Sequence, residues 1–158
     1  MIRVAVTGAK GRMGSTVVTA VTGAPDMEVV AQLDAGDPIT KKTVNGAQVA
    51  VDFSLPSVTE ANVHALLDAG VDVVVGTTGW TDESYARVRE HAEAAGRAVL
   101  IAPNFAMGAV LAMTFAAMAA PYFESAEVIE MHHPGKVDAP SGTAVATARG
   151  IARARAEA

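Results

Sequence analysis

The segment EVIEMHHPGKVDAPSGTA, residues 127–144, concentrates side chains that can do chemistry. Its two adjacent histidines first suggest a metal site, but successive side chains on a strand point to opposite faces, so His132 and His133 should not share one ion. The chain also has no cysteine to complete such a site. Because Gly135-Lys136 is not followed directly by Ser or Thr, a phosphate-binding P-loop is excluded as well. We therefore predict neither a metal nor a P-loop here.

The same segment does predict an anion site. Its Pro-Ser-Gly-Thr run, residues 140–143, is typical of a helix start, where free backbone amides and hydroxyl groups can hold a carboxylate. Lys136 adds a positive charge nearby, and an imidazole beside the anion can donate a proton near neutral pH. This combination indicates a reductase pocket for a small anionic substrate. The alternative is a surface loop capped by Ser141, with solvated histidines.

A second motif, TGAKGRMGS at residues 7–15, lies between the first predicted strand and the first predicted helix. Gly8, Gly11 and Gly14 let the backbone turn tightly and approach a pyrophosphate, which a helix N-terminus attracts. The spacing is GxxGxxG, one residue wider than the usual motif. Asp34 follows Gly14 by 20 residues and ends the second predicted strand, where an acid can bind an adenosine ribose. The pattern favours a nicotinamide dinucleotide site over an ordinary tight turn.

Two cations and two further loops extend this interpretation. Lys10 and Arg12 could meet a 2′-phosphate, so we expect NADH and/or NADPH as cofactor. The loops GTTG at 76–79 and APNF at 102–105 follow two later strands, and ligands bind at that edge of an open α/β sheet. They are candidates for the nicotinamide end of the site, although each alone could be only a turn.

Strand-like and helix-like segments, which must position these residues, alternate along the first hundred residues. Short, β-branched apolar runs separated by amphipathic helices predict a Rossmann-like, doubly wound parallel sheet of the α/β class. From residue 105 the pattern changes to a long Ala- and Met-rich helix, one strand over 126–133 and a last helix from 142. We therefore expect a dinucleotide-binding domain over 1–104 and the start of a smaller α+β substrate and oligomerisation domain over 105–158. That last helix has no stop signal, so we expect a fragment.

Bulk composition limits the possible partners. With 12 Lys and Arg against 17 Asp and Glu, the formal charge of −5 gives no general attraction to nucleic acid or to an anionic membrane. The uncharged run 98–123 is divided by Pro103-Asn104 and Pro121, which predicts a buried helix and no membrane span. The first residues already read as a strand and not as a signal peptide, so we expect a cytoplasmic protein.

Five motifs along the chain together resemble the 4-hydroxy-tetrahydrodipicolinate reductase (dihydrodipicolinate reductase) family of diaminopimelate and lysine biosynthesis. They are GAKGRMG at 8–14, DFS at 52–54, GTTG at 76–79, APNFAMG at 102–108 and E-x-HH-x-x-K-x-DAPSGTA at 130–144. The last motif is the most specific. The resemblance implies NAD(P)H-dependent reduction of a cyclic imine dicarboxylate, and a homotetramer for the full-length protein.

The resemblance also implies roles for individual residues. His132 and Lys136 match the catalytic pair, with His132 as the proton donor and Lys136 orienting the substrate. The implied substrate contacts are His133, Ser141, Gly142 and Thr143. The predicted cofactor-binding residues are Gly8, Lys10, Gly11, Arg12, Met13, Gly14, Asp34, Phe53, Gly76, Thr77, Thr78, Ala102, Pro103, Asn104 and Phe105.

Two departures from the family pattern are visible in the sequence. The link between Asp34 and Val49 is shorter than in many members, and family chains continue well past residue 158. An alternative from another class is a non-catalytic NAD(P)H-binding module, or an inactive fragment of the enzyme. Lys136 and the Ser-Gly-Thr helix start argue against a sensor, because a sensor needs no carboxylate pocket.

Overall fold

The computed structural model describes residues 1–132, 134 and 139–158. The chain forms two compact units, Met1–Ala102 and Pro103–Ala158, each with packing of its own.

The first unit is a five-stranded parallel sheet with three helices. Its strands are β1 (Ile2–Thr7), β2 (Met27–Leu33), β3 (Val49–Asp52), β4 (Asp72–Val75) and β5 (Val99–Ile101), in the order β2-β1-β3-β4-β5. Its helices are α1 (Arg12–Gly23), α2 (Thr59–Asp68) and α3 (Asp82–Ala95). All four strand pairs are parallel. The predicted Rossmann-like α/β sheet is confirmed, and the strand order reverses at β1, where open sheets of this type bind ligands.

Both faces of the sheet are covered, which explains why its strands are apolar on both sides. On one face, Val6 of β1 shares a buried cluster with Val21 of α1. On the other face, Val73 of β4 belongs to a larger cluster with Leu66 of α2 and Val88 of α3. The two clusters hold the sheet rigid, so the loops at its carboxyl edge start from fixed points.

Local sequence signals define both ends of α3. Thr81 is the N-cap, with its hydroxyl accepting the backbone N–H of Ser84 at 3.2 Å, and Ser84 Oγ accepts the Thr81 N–H in return. Such a reciprocal capping box satisfies two amides that the helix leaves unpaired. Gly96 ends the helix in the left-handed region at φ 61°, which favours glycine.

The second unit is helical in its described residues. It contains α4 (Met107–Ala119), a short 3-10 helix (Ala120–Tyr122) and α5 (Gly142–Ala156), with α4 packed against α5. The predicted strand over 126–133 is wrong for residues 126–132, which form no regular element. A strand needs a neighbour for its backbone hydrogen bonds, and the described residues of this unit include no second strand.

The prediction of a buried helix within residues 98–123 is also wrong. The helix forms as α4, but Met107, Phe115 and Met118 keep 72%, 59% and 67% of their surface exposed. Among the described elements of this unit, α5 and the short 3-10 helix pack on α4, and these cover too little of a helix that is apolar on every side. Within the described part of the chain, no helix combines the length and apolar character needed to cross a membrane.

Candidate functional site

The glycine loop between β1 and α1 is built by close backbone contacts. Gly8 has a φ of 71°, and its carbonyl oxygen accepts the backbone N–H of Gly11 at 3.0 Å. A Cβ atom on Gly14 would lie 1.9 Å from that same oxygen, so only glycine lets the first turn of α1 approach the loop. This packing places the N-terminus of α1, with its free amides, beside the carboxyl end of β1.

Asp34 lies one residue beyond β2 and is fixed to the glycine loop. Its Oδ2 atom accepts the backbone N–H of Lys10 at 2.7 Å, and its Oδ1 atom accepts the N–H of Ala35 at 2.8 Å. These bonds, that of Ala35 first, lower the pKa of the Asp34 carboxyl below its ordinary value. The group is therefore a firmly ionised acceptor held against the loop, as ribose recognition requires.

A cavity of about 440 Å³ opens between the glycine loop and the segment after β2. Ligand sites usually have roughly 300 to 1,000 Å³, so the cavity has the size of a small-molecule site. The wall combines backbone of the glycine loop, the acidic end of β2 and an apolar side from Ile39, Leu55 and Val58. Four predicted cofactor residues line it, namely Gly8, Gly11, Asp34 and Phe53.

The remaining predicted cofactor residues of the first unit occupy three other positions. Lys10, Arg12 and Met13 are exposed at the start of α1, and Gly14 is buried beneath them. Gly76 follows β4 and packs so closely on Phe53 that a Cβ atom there would lie 2.0 Å from the ring. The rest lie at the ends of β4 and β5, with Thr77 buried and Thr78 and Ala102 half-buried.

Asp52 is a residue of this site that the sequence prediction missed. It is the last residue of β3, is fully buried and accepts side-chain hydrogen bonds from several loops of the carboxyl edge. The available signal was its place in the DFS run, directly before Phe53. An acidic residue inside an apolar strand pattern needs polar partners, because an unpaired buried charge is costly.

In the second unit, the predicted anion site begins at Ser141, the N-cap of α5. Its hydroxyl accepts the backbone N–H of Ala144 at 3.1 Å. The Ser141 backbone N–H donates to Glu130 Oε1 at 2.8 Å, and its hydroxyl donates to Glu130 Oε2. A carboxylate of the protein itself thus binds at this helix start, which matches the chemistry expected there.

Four further predicted residues make polar contacts within this unit. His132 Nδ1 lies 3.7 Å from Glu130 Oε2, so a protonated His132 would pair with that carboxylate. The side-chain amide of Asn104 donates to Thr143 Oγ1 at 3.0 Å, and Thr143 Oγ1 also lies 3.5 Å from the Pro103 carbonyl oxygen. Pro103 and Asn104 were predicted for the cofactor, whereas here they contact the start of α5.

Four other predicted site residues remain, and two of them lie within the described part of the chain. Gly142 is half-buried as the first residue of α5, and Phe105 is exposed just before α4. The predicted catalytic Lys136 and the predicted substrate contact His133 lie outside the described residues. Among the residues that the structure does describe, no three His, Cys, Asp or Glu side chains are grouped to hold a metal ion.

Comparison with known families covers nearly the whole chain. The family model described as dihydrodipicolinate reductase, N-terminus, matches residues 2–105, and the model described as its C-terminus matches residues 108–158. These two matches meet near the start of α4.

Individual relatives agree with the family models. The chain is 66% identical to the 4-hydroxy-tetrahydrodipicolinate reductase of Beutenbergia cavernae, over 98% of this chain and 62% of that protein. It is 58% identical to the Bifidobacterium animalis protein of the same name, over 98% of this chain and 64% of that one. The chain therefore spans somewhat less than two thirds of the length of these relatives.

A solved structure gives the same relationship in three dimensions. It is the dipicolinate-bound dihydrodipicolinate reductase from Paenisporosarcina sp. TG-14, with a TM-score of 0.78 and 38% sequence identity. The match covers 98% of this chain and 67% of that chain.

Proposed function

The chain belongs to the dihydrodipicolinate reductase family, and on that premise we propose that it acts in the NAD(P)H-dependent reduction catalysed by 4-hydroxy-tetrahydrodipicolinate reductase. The substrate class is a cyclic imine dicarboxylate, reduced to tetrahydrodipicolinate on the route to diaminopimelate and L-lysine. Residues 1–104 would bind the dinucleotide, and residues 105–158 would supply the first part of the substrate domain.

One observation carries this proposal: the glycine loop and Asp34 are joined by a hydrogen bond and line one cavity. The volume of the cavity and the carboxylate acceptor on its wall suit the adenosine half of a dinucleotide. Gly14 packs without a side chain against Gly8, which leaves the α1 amides open to a pyrophosphate. The ionised Asp34 offers an acceptor to ribose hydroxyl groups.

The residues that would hold the cofactor are those that line the cavity, with the Gly76 and Thr78 loop toward its nicotinamide end. When bound, the nicotinamide supplies the hydride that the reduction requires. Lys10 and Arg12 are exposed beside the loop and can accept a 2′-phosphate, so both NADH and NADPH fit the proposal.

The second unit would hold and protonate the substrate. The backbone amides of Gly142 and Thr143 would bind one carboxylate at the start of α5, and Lys136 would orient the ring and stabilise negative charge. His132 would donate the proton that the reduced ring acquires. The contact between Glu130 and Ser141 supports this, because the adjacent N-cap residue already donates a hydrogen bond to a carboxylate of the protein itself.

We further propose a homotetramer for the full-length protein and a cytoplasmic location. The exposed apolar side chains of α4 support an assembly in which further protein covers this helix.

The test follows the loss of NADH absorbance while the substrate is generated enzymatically in the same cuvette. We expect oxidation of NADH that depends on the substrate-generating enzyme and is inhibited by pyridine-2,6-dicarboxylate, a planar dicarboxylate mimic. A protein that binds NADH but oxidises none under these conditions would support a non-catalytic module or an inactive fragment of the enzyme instead.

A further inference from the structure

The carboxylate of Asp52 is the fully buried charged group of the first unit that the proposed reaction does not use. It lies at the carboxyl end of β3, the strand next to β1 and β4 in the sheet. Neither substrate nor cofactor can reach a side chain that is 0% exposed without rearrangement. Its role must therefore be exerted through the residues that contact it.

Five side-chain donors converge on this carboxylate. Oδ1 accepts from Thr7 Oγ1 at 2.5 Å and from Asn62 Nδ2 at 3.2 Å. Oδ2 accepts from Thr59 Oγ1 at 2.7 Å, Ser54 Oγ at 3.0 Å and Thr77 Oγ1 at 3.0 Å. An ionised carboxylate is an acceptor at both oxygens, so it satisfies this arrangement, whereas an amide has only one acceptor oxygen. The hydrogen bonds in turn offset the cost of burying the charge.

Three of the five donors lie where β1, β3 and β4 end, beside residues of the proposed nucleotide site. Thr7 immediately precedes Gly8, Ser54 follows Phe53 and lines the cavity, and Thr77 follows Gly76. The other two donors, Thr59 and Asn62, belong to α2. A single buried charge therefore joins the ends of β1, β3 and β4 through side chains, in addition to the backbone bonds of the sheet.

We propose that Asp52 is a positioning residue, whose ionised carboxylate holds the loops at these three strand ends in the geometry that binds the dinucleotide. Hydrogen bonds to a charged group are stronger than those between neutral groups, so one carboxylate can fix several loops at once. The cofactor part of this inference rests on the proposed function. The loop-fixing part does not.

The first experiment uses Asp52→Asn, with Asp72→Asn as the matched control. Asp72 is the first residue of β4. It therefore lies at the amino-terminal edge of the sheet, away from the carboxyl edge, and it accepts one backbone N–H from Ala98 at 2.9 Å. Amide hydrogen exchange without cofactor should become faster in residues 7–11, 53–54 and 76–79 of Asp52→Asn, but not in Asp72→Asn. Unchanged exchange in these loops would overturn the inference, whether or not the protein binds NADH.

NADH titration supplies the second readout. We expect Asp52→Asn to raise the dissociation constant about tenfold or more, as the loss of a charged hydrogen-bond acceptor implies. Wild type that binds no NADH would refute the proposed function alone, because the exchange result still stands. Equal affinity in wild type and Asp52→Asn would refute the positioning role of Asp52 in cofactor binding.

Milder variants serve if Asp52→Asn does not fold. Thr7→Val removes one donor while keeping the side-chain shape, and Thr7→Ser restores the hydroxyl. We expect weaker NADH binding in Thr7→Val and recovery in Thr7→Ser. Thr59→Val, which removes a donor that does not line the cavity, should lower the melting temperature while leaving NADH affinity within about twofold. An equal loss of affinity in Thr59→Val, or no recovery in Thr7→Ser, would indicate general destabilisation instead.

Discussion

Glu130 binds Ser141 through two hydrogen bonds, one from the backbone amide and one from the hydroxyl, and the same carboxylate lies 3.7 Å from His132 Nδ1. The start of α5 and the proposed proton donor are therefore connected by a single side chain. This connection brings the proposed proton source close to the proposed carboxylate site.

Glu130→Gln should keep the hydrogen bond to Ser141 but remove the charge beside His132. An amide oxygen can still accept the Ser141 N–H, but it no longer provides a negative charge beside His132. We expect turnover to fall about tenfold, a part of the roughly 10²- to 10⁴-fold that general-acid catalysis contributes. NADH affinity should not change. Turnover equal to wild type in steady-state assays would limit Glu130 to a capping role.

Asp34→Ala should weaken NADH binding by about tenfold, since the ribose hydroxyl groups lose a charged acceptor and the Lys10 amide loses its partner. Fluorescence titration of NADH measures the effect. Asp26→Ala, in the exposed turn before β2, is the control and should bind NADH as wild type does. If both variants bind NADH equally well, Asp34 does not contact the cofactor.

His132→Ala and Lys136→Ala should both reduce turnover while leaving NADH affinity nearly unchanged. Loss of the proton donor should cost about 10²- to 10⁴-fold in kcat. Lys136→Ala should also raise KM for the dicarboxylate, because the ammonium holds the substrate before the transition state as well as in it. A loss below roughly tenfold in His132→Ala would mean that water or another side chain supplies the proton.

The exposed face of α4 leads to a prediction about chain length. Joining to these residues the part of the Beutenbergia cavernae relative that the chain does not match should cover α4 and raise turnover. A dye that fluoresces on apolar surfaces should bind the extended protein less. Equal turnover and equal dye binding at both lengths would show that α4 needs no further cover.

The ion pair between Glu60 and Arg87 predicts an acid limit to the stability of the first unit. Arg87 donates to both carboxylate oxygens, at 2.7 and 3.1 Å, and this lowers the pKa of Glu60 from its ordinary value of 4.5. A depressed pKa in the folded state contributes stability above pH 4.5, and this contribution is lost as the pH falls through the folded-state pKa.

Thermal unfolding of wild type and Glu60→Gln over a pH series checks this. The melting temperatures should differ at pH 6 to 7 and converge as the pH falls below the lowered pKa of Glu60. The difference should be small, because exposed ion pairs contribute little and salt screens them. A constant difference across the series would assign the effect of the substitution to packing.

The sequence predicts the first unit well because its signals are local. β-branched runs such as VDVVV, the three glycines and the Thr81 cap each specify a backbone conformation without reference to distant residues. The Asp52 cluster could not be predicted in this way. Its donors lie at positions 7, 54, 59, 62 and 77, and only the parallel order of β1, β3 and β4 brings them together.

In the second unit, sequence patterns predict less well, because the outcome depends on packing partners. Residues 126–132 have the composition of a strand, but strand formation depends on a partner that composition does not reveal. The apolar run of α4 likewise predicts a helix correctly and its burial incorrectly. Burial depends on what packs against the helix, and only α5 and the short 3-10 helix do so among the described residues.

The central place of β1 between β2 and β3 also affects the order in which the protein can fold as it is synthesised. Strand β1 precedes both of its sheet neighbours in the chain, and the bond from Thr7 to Asp52 closes a loop of 45 residues. Helix α1 and the β1–β2 pair can form early, but one edge of β1 stays unpaired until β3 has been translated. Parallel, long-range pairing is intrinsically slow, so the nascent chain exposes an apolar strand edge in that interval and is then open to capture by chaperones.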